Sequence, residues 1–241
     1  MNIAVIFAGG IGKRMDSSNL IPKQFVEIEN KPILIHTLEI FQKHKEIGKI
    51  YISMLEAYID FAKELVKKFN ISKVKSIVPG GAMSQMSIYN ALIEAQKTNS
   101  PNDTVLIHDG VRPIVDGRVI TDNIKWVSKF GCAVTAIPAS ETIVLSKNNK
   151  TIDGVPLRKH TFIGQAPQSF KLGEILKAHE EIKKIRPNYE DVVDSCTIYR
   201  LLGKKIHLVE GNIGNIKVTT PNDLELLKTI FKLRSKESIN A

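Results

Sequence analysis

Residues able to handle phosphate recur along this chain. An apolar run over residues 2–7 breaks into Ala8-Gly9-Gly10-Ile11-Gly12-Lys13-Arg14, with a further cation at Lys23. Later come His108-Asp109-Gly110-Val111-Arg112-Pro113 and Asn215-Ile216-Lys217-Val218-Thr219-Thr220-Pro221. Glycine-rich turns expose backbone N–H groups to an anion, and Arg and Lys supply charge. Two familiar phosphate cradles fail on spacing. A Walker A loop needs glycine where Phe7 stands and Ser or Thr where Arg14 follows Lys13. A dinucleotide fingerprint begun at Gly10 meets Met15 at its third glycine, where close helix packing wants Gly or Ala. What remains is a strand running into a glycine-rich turn that faces a triphosphate, with Arg14 and Lys23 brought close. A tight turn with solvated cations is the alternative.

The elements that must position these groups alternate. Strand-type runs at 2–7, 49–54, 74–78, 104–108, 132–137 and 205–210 are separated by amphipathic stretches. The fold class expected is α/β, a Rossmann-like, mostly parallel sheet flanked by helices. Helices are expected over 32–47, with Pro32 in the first turn, over 84–97, and over 222–233 after Thr220-Pro221. Between 139 and 166 the pattern lapses into a hairpin-like excursion around Lys147-Asn148-Asn149-Lys150, expected as a protruding β-arm on one domain spanning 1–241. An isolated hairpin is marginal in water, so an arm of this length needs a surface to pack on, either a second copy or its own domain. Asp109 and Arg112 follow the 104–108 run, at the carboxyl edge where open α/β sheets bind ligands.

Composition narrows the function classes. With 241 residues, 43% of them hydrophobic, the chain can bury one sizeable core. The formal charge of +9 is spread along the chain and aromatic content is 6%, so small phosphorylated ligands are expected as partners and nucleic acid is not. Two cysteines, Cys132 and Cys196, and no basic leader make a disulfide framework unexpected and a reducing cytoplasm expected. No apolar run approaches the roughly 20 residues of a bilayer span, so no membrane partner is expected.

Taken together and in order, AGGIGKRM, PKQF, HDGVRP, GQAPQSF and NIKVTTPNDL resemble the motifs of the bacterial cytidylyltransferases over about residues 2–230. The wording HDGVRP is closer to the ribitol-5-phosphate group than to its sister, the 2-C-methyl-D-erythritol 4-phosphate group. The resemblance implies that an acceptor phosphate oxygen attacks the α-phosphorus of CTP in line and pyrophosphate leaves, a reaction served chiefly by positioning and electrostatics. It implies Arg14, Lys23 and Lys217 as catalytic cations and the backbone of Ala8, Gly9 and Gly10 against the nucleotide. Gly80, Gly81 and Ser87 would read cytosine. Asp109 would lie near a Mg²⁺ ion carried on substrate phosphates and near the acceptor hydroxyls, while Arg112 would hold the acceptor phosphate. Glu141-Thr142 and Arg158 on the arm would reach the acceptor phosphate of a neighbouring subunit, which makes a homodimer.

Three positions depart from the pattern: Ser84 replaces an arginine of the methylerythritol group, Ala166 a frequent threonine, and Val193 the usual threonine before Asp194. Asp194 itself is suited to capping a helix. The acceptor expected is D-ribitol 5-phosphate, which would make CDP-ribitol for a surface polymer such as teichoic acid or capsule. The alternatives are methylerythritol phosphate for isoprenoid synthesis, another polyol phosphate, or a CTP-binding paralogue without turnover. His108 is expected in the core or behind the site, because no metal-ligand spacing links it to the other histidines.

Overall fold

The computed structural model describes residues 1–10 and 21–239, so Arg14 and the remainder of 11–20 lie outside the described residues. In chain order the first half comprises β1 (Asn2–Ala8), β2 (Glu27–Ile28), β3 (Lys31–Pro32), α1 (Ile33–Lys43), β4 (Ile47–Met54), α2 (Ile59–Lys68), β5 (Val74–Pro79), α3 (Ser84–Gln96) and β6 (Thr104–Asp109). The second half comprises α4 (Gly117–Phe130), β7 (Cys132–Pro138), β8 (Phe162–Lys171), α5 (Leu172–Ile185), α6 (Ser195–Leu201), β9 (Leu208–Glu210) and α7 (Pro221–Ile239). A seven-stranded sheet runs in the order β5-β4-β1-β6-β8-β7-β9. Its pairs are parallel except where β8 meets β6 and β7.

β1 is apolar almost throughout because helices cover both of its faces. Its alternate residues enter two cores. Ile3 and Val5 pack with Ile88 and Leu92 of α3 and Leu176 of α5. Ala4 and Ile6 pack with Leu34, Leu38 and Phe41 of α1 and Val119 and Ile120 of α4. Parallel register then aligns the strand ends: Ala8 lies opposite Met54, Met54 opposite Pro79, and Phe7 opposite Asp109. Every loop leaving β1, β4, β5 and β6 therefore starts from one edge of the sheet.

The α/β architecture expected from the alternation is present, with shorter helices at 33–43 and 84–96 and a longer one at 221–239. The last strand is confined to 208–210. The excursion at 139–166 is corrected at its end, since 162–166 belong to β8, whose Phe162 pairs with Pro138. Residues 139–161 are largely exposed and hold a single bridge, Leu145 to Gly154, and a 3₁₀ turn at Arg158–His160. β8 escapes a reading by hydrophobic pattern because it buries Gln165, Gln168 and Ser169 in place of apolar residues. Their partners are Asn212, Asp194, Cys196 and Asn123. Among the described residues, no helix is long and apolar enough to cross a membrane.

Two histidines are sealed inside this fold. His108 meets the Arg112 carbonyl at 3.1 Å through Nε2, and His179 meets the Tyr189 hydroxyl at 2.8 Å through Nδ1. Burial pushes them down to about 4 and about 3 respectively. As pH falls below about 6.5 an unfolded chain takes up protons that the folded chain refuses, at a cost near 1.4 kcal/mol per unit of depression. Stability to urea should therefore drop between about pH 6.5 and 4, and His179→Gln should flatten that slope. An equal slope in the variant would remove His179 as a cause.

Candidate active site

The glycine turns owe their glycines to mutual contact as much as to any ligand. A Cβ on Gly80 would stand 2.8 Å from Ser87 Oγ and 3.2 Å from the Met54 carbonyl, and one on Gly9 would stand 3.0 Å from the same Oγ. Real Cβ atoms do not approach so closely without displacing something. Ser87, near the start of α3, is 2% exposed; its oxygen accepts the Gly81 N–H at 3.0 Å and its hydroxyl points toward the Met83 carbonyl at 3.3 Å. The opening loop and the loop after β5 are thereby locked around one serine, which keeps a lone pair for a ligand.

These loops wall a cleft of about 480 Å³ lined by Ala8, Gly9, Gly10, Lys23, Gly81, Ser84, Ser87, Asp109, Lys217 and Thr219. Lys23 begins a 3₁₀ turn whose next residue, Gln24, is buried and donates from Nε2 to the Ala8 carbonyl at 2.9 Å. That bond ties the turn to the end of β1. A second cleft, of about 180 Å³, shares Asp109 and Lys217 with the first and is lined further by Arg112, Gln165, Ala166, Gln168, Val193 and Asp194 among others. Ser84 lines both, and all three departures from the family pattern meet in the smaller cleft.

Asp109 stands at the junction, 4% exposed at the end of β6. Lys217 Nζ is 2.5 Å from its Oδ1, and Arg112 Nε donates to its Oδ2 at 2.7 Å. Burial alone would raise this carboxyl, but the two cations outweigh it and bring it down to about 2. Arg112 also donates to the Asn215 carbonyl at 2.7 Å, so its guanidinium braces two loops. Lys217, more exposed than Arg112, is the cation of the pair that reaches both clefts. Such a junction can hold one phosphate in each cleft against a shared ammonium group.

Gly80 backs the large cleft without lining it. On the arm, Arg158 donates to the Thr142 hydroxyl at 2.9 Å, and both residues are exposed. They meet each other and line neither cleft. Asp194 is a helix cap: Oδ1 accepts the Thr197 N–H at 2.9 Å while Oδ2 accepts Gln168 Nε2 at 2.7 Å. Burial opposes its ionisation, and these hydrogen bonds outweigh burial and lower the carboxyl. His108 is wholly buried behind Asp109.

Sequence reading passed over Gln24 and Asn215. Asn215 is fully buried and donates from Nδ2 to the Ala166 carbonyl at 2.6 Å, which joins β8 to the loop bearing Lys217. Its place two residues before Lys217 was the available signal. Among the described residues, no three His, Cys, Asp or Glu side chains cluster to cage a metal. Asp109, ionised and common to both clefts, keeps a second lone pair on each oxygen beyond Lys217 and Arg112 and is the carboxylate that would hold a magnesium ion carried on substrate phosphates.

Similarity to known proteins agrees with this geometry. A ribitol-5-phosphate cytidylyltransferase of Streptococcus agalactiae serotype III (strain NEM316) is 41% identical over 239 residues, 99% of each chain. A 2-C-methyl-D-erythritol 4-phosphate cytidylyltransferase of Clostridium botulinum (strain Okra / Type B1) is 39% identical over 231 residues, 96% of this chain and 97% of the other. The crystal structure of a 4-diphosphocytidyl-2C-methyl-D-erythritol synthase from Anaerococcus prevotii DSM 20548 shares the fold, with a TM-score of 0.80 at 24% identity over 96% of each chain. The family model for IspD, 2-C-methyl-D-erythritol 4-phosphate cytidylyltransferase, matches residues 2–233, and with two cation-lined clefts meeting at one carboxylate the chain belongs to that cytidylyltransferase family.

Proposed function

We propose that this nucleotidyltransferase makes CDP-ribitol and pyrophosphate from CTP and D-ribitol 5-phosphate. The observation that carries the reading is the Lys217–Asp109–Arg112 junction between a large and a small cleft. The triphosphate occupies the large cleft against Lys23 and the backbone of Ala8, Gly9 and Gly10, with cytosine at Gly81 and Ser87 backed by Gly80; Arg14, which lies outside the described residues, is the further cation the resemblance implies. The acceptor occupies the small cleft, where Ala166 and Val193 present no hydroxyl. The near full-length likeness to a ribitol-5-phosphate enzyme supports this choice of acceptor.

An acceptor phosphate oxygen forms the new bond to the α-phosphorus as the α–β bridging bond breaks, and its electron pair leaves with pyrophosphate. No base is needed, because the attacking phosphate is already anionic. Lys217 draws the two phosphates together and stabilises the charge that builds on the α-phosphoryl oxygens; such fixed donors are worth about 3 kcal/mol each. Asp109 holds Lys217 and Arg112 at the junction. When bound, Mg²⁺ at Asp109 would neutralise phosphate charge and favour pyrophosphate as a leaving group. Exposed Val144, Leu145, Ile152, Val155 and Leu157 on the 139–161 segment support a homodimer in which Thr142 and Arg158 meet the partner's acceptor phosphate. The free thiols Cys132 and Cys196 accord with a cytoplasmic setting.

Pyrophosphate release from CTP and Mg²⁺ should be much faster with ribitol 5-phosphate than with methylerythritol 4-phosphate. The reverse preference would assign the enzyme to the sister reaction, and silence with both while CTP binds would leave another polyol phosphate as acceptor or a nucleotide sensor. Lys217→Ala should lower kcat by about 10²-fold or more, measured below its melting temperature, which should itself fall because the buried Asp109 carboxylate is left with Arg112 as its one cation partner. Gly80→Ala should weaken CTP binding by about tenfold in calorimetry, because the new methyl displaces Ser87; unchanged affinity would separate that turn from the nucleotide.

A further inference from the structure

The segment that delivers Lys217 has no helix or strand of its own: residues 211–220 are turns and irregular chain. Its position rests on the burial of Val218 among Ile28, Val111, Ile114 and Leu227 and on point contacts. Asn215 is held by Arg112 and holds Ala166, and the Val218 N–H donates to the Val111 carbonyl at 3.0 Å. The last anchor is Asp223, in the first turn of α7. Its Oδ2 accepts the Thr219 N–H at 2.8 Å, the Thr219 hydroxyl at 2.7 Å and the Thr220 N–H at 2.7 Å. In return Thr220 Oγ1 accepts the Asp223 N–H at 3.3 Å.

The reciprocal pair of Thr220 and Asp223 is a capping box of the kind that starts many helices. The bonds to Thr219 are different in kind, since Thr219 precedes the cap and adds nothing to helix initiation. Thr219 lines the large cleft beside Lys217. Burial opposes ionisation of Asp223, and the hydrogen bonds from Thr219 and Thr220 outweigh it and lower the carboxyl. An ionised carboxylate only accepts, so the Thr219 hydroxyl spends its proton on Asp223. Thr219 is thereby locked in one orientation, and the chain carrying Lys217 is pinned at its far end.

We propose that Asp223 is a positioning residue for cytidylyl transfer, acting through Thr219 to hold the wall of the nucleotide cleft and, with it, Lys217. This rests on reading the large cleft as the CTP site. The test compares Asp223→Asn, Thr219→Val and Thr220→Ala in the full chain. Asp223→Asn exchanges the charged acceptor of all three donors for a weaker neutral one, Thr219→Val deletes only the hydroxyl bond, and Thr220→Ala deletes only the return half of the helix cap. The expected result is a loss of about tenfold or more in kcat/KM for CTP in the first two, with Thr220→Ala within about twofold of the parent, while all three melt within a few degrees of one another. Equal activity losses in Asp223→Asn and Thr220→Ala, or no loss in Thr219→Val, would reduce Asp223 to a helix cap and overturn the proposal. CTP affinity measured by calorimetry with Mg²⁺ gives a readout independent of the acceptor. If the parent protein turns over no acceptor, the proposed reaction fails, and weakened CTP binding in Asp223→Asn and Thr219→Val still decides this inference.

Discussion

A buried carboxylate with a cation on each oxygen is the contact on which the site is arranged. Taking Asp109 out of water is costly, and only Lys217 and Arg112, at 2.5 and 2.7 Å, make its ionised form tolerable there. The reverse dependence matters as much for chemistry. Without Asp109, two like charges would be held near each other at the junction of two clefts, with nothing to fix their separation. The carboxylate thus sets where positive charge stands before any phosphate arrives. Preorganised charge of this kind costs no reorganisation when the reaction occurs.

The sheet makes that arrangement possible by bringing distant segments to one edge. Asp109 ends β6, the opening glycines follow β1, and Gly80 and Gly81 follow β5, all at aligned register. Lys217 comes from irregular chain more than a hundred residues beyond Asp109 and has no strand to register it. Its loop is tied instead by Arg112 to the Asn215 carbonyl, by Asn215 to Ala166, and by Asp223 to Thr219 and Thr220. The sheet edge thus presents one side of the clefts, and polar ties together with the buried Val218 present the other.

β8 shows why a strand of such importance reads poorly. It turns antiparallel between β6 and β7, and beside the apolar Ala166 and Phe170 it buries Gln165, Gln168 and Ser169. These are polar because they bond to the Asn212 carbonyl, to Asp194 and the Cys196 N–H, and to Asn123. A hydrophobic pattern records what is hidden from water, and here hydrogen bonding takes the place of apolar packing. The same polar strand lines the small cleft, so the signal that obscured the fold is the one that shapes this cleft.

The sequence by itself determined the strand and helix alternation and the anionic character of the ligands, and it marked residue types able to meet phosphate. Apolar periodicity follows from local geometry, and cations and glycines must be of those types wherever they stand in the fold. Motif order carried the family. Tertiary structure alone decided that Gly9 and Gly80 meet over Ser87, that Asp109 spends its two oxygens on Lys217 and Arg112, and that Ser84, Ala166 and Val193 share one cleft. It also decided that Thr142 and Arg158 meet on the exposed segment, away from both clefts. Each of these is a contact between residues far apart in the chain, and spacing along a sequence holds no record of which loops a sheet will bring to the same edge.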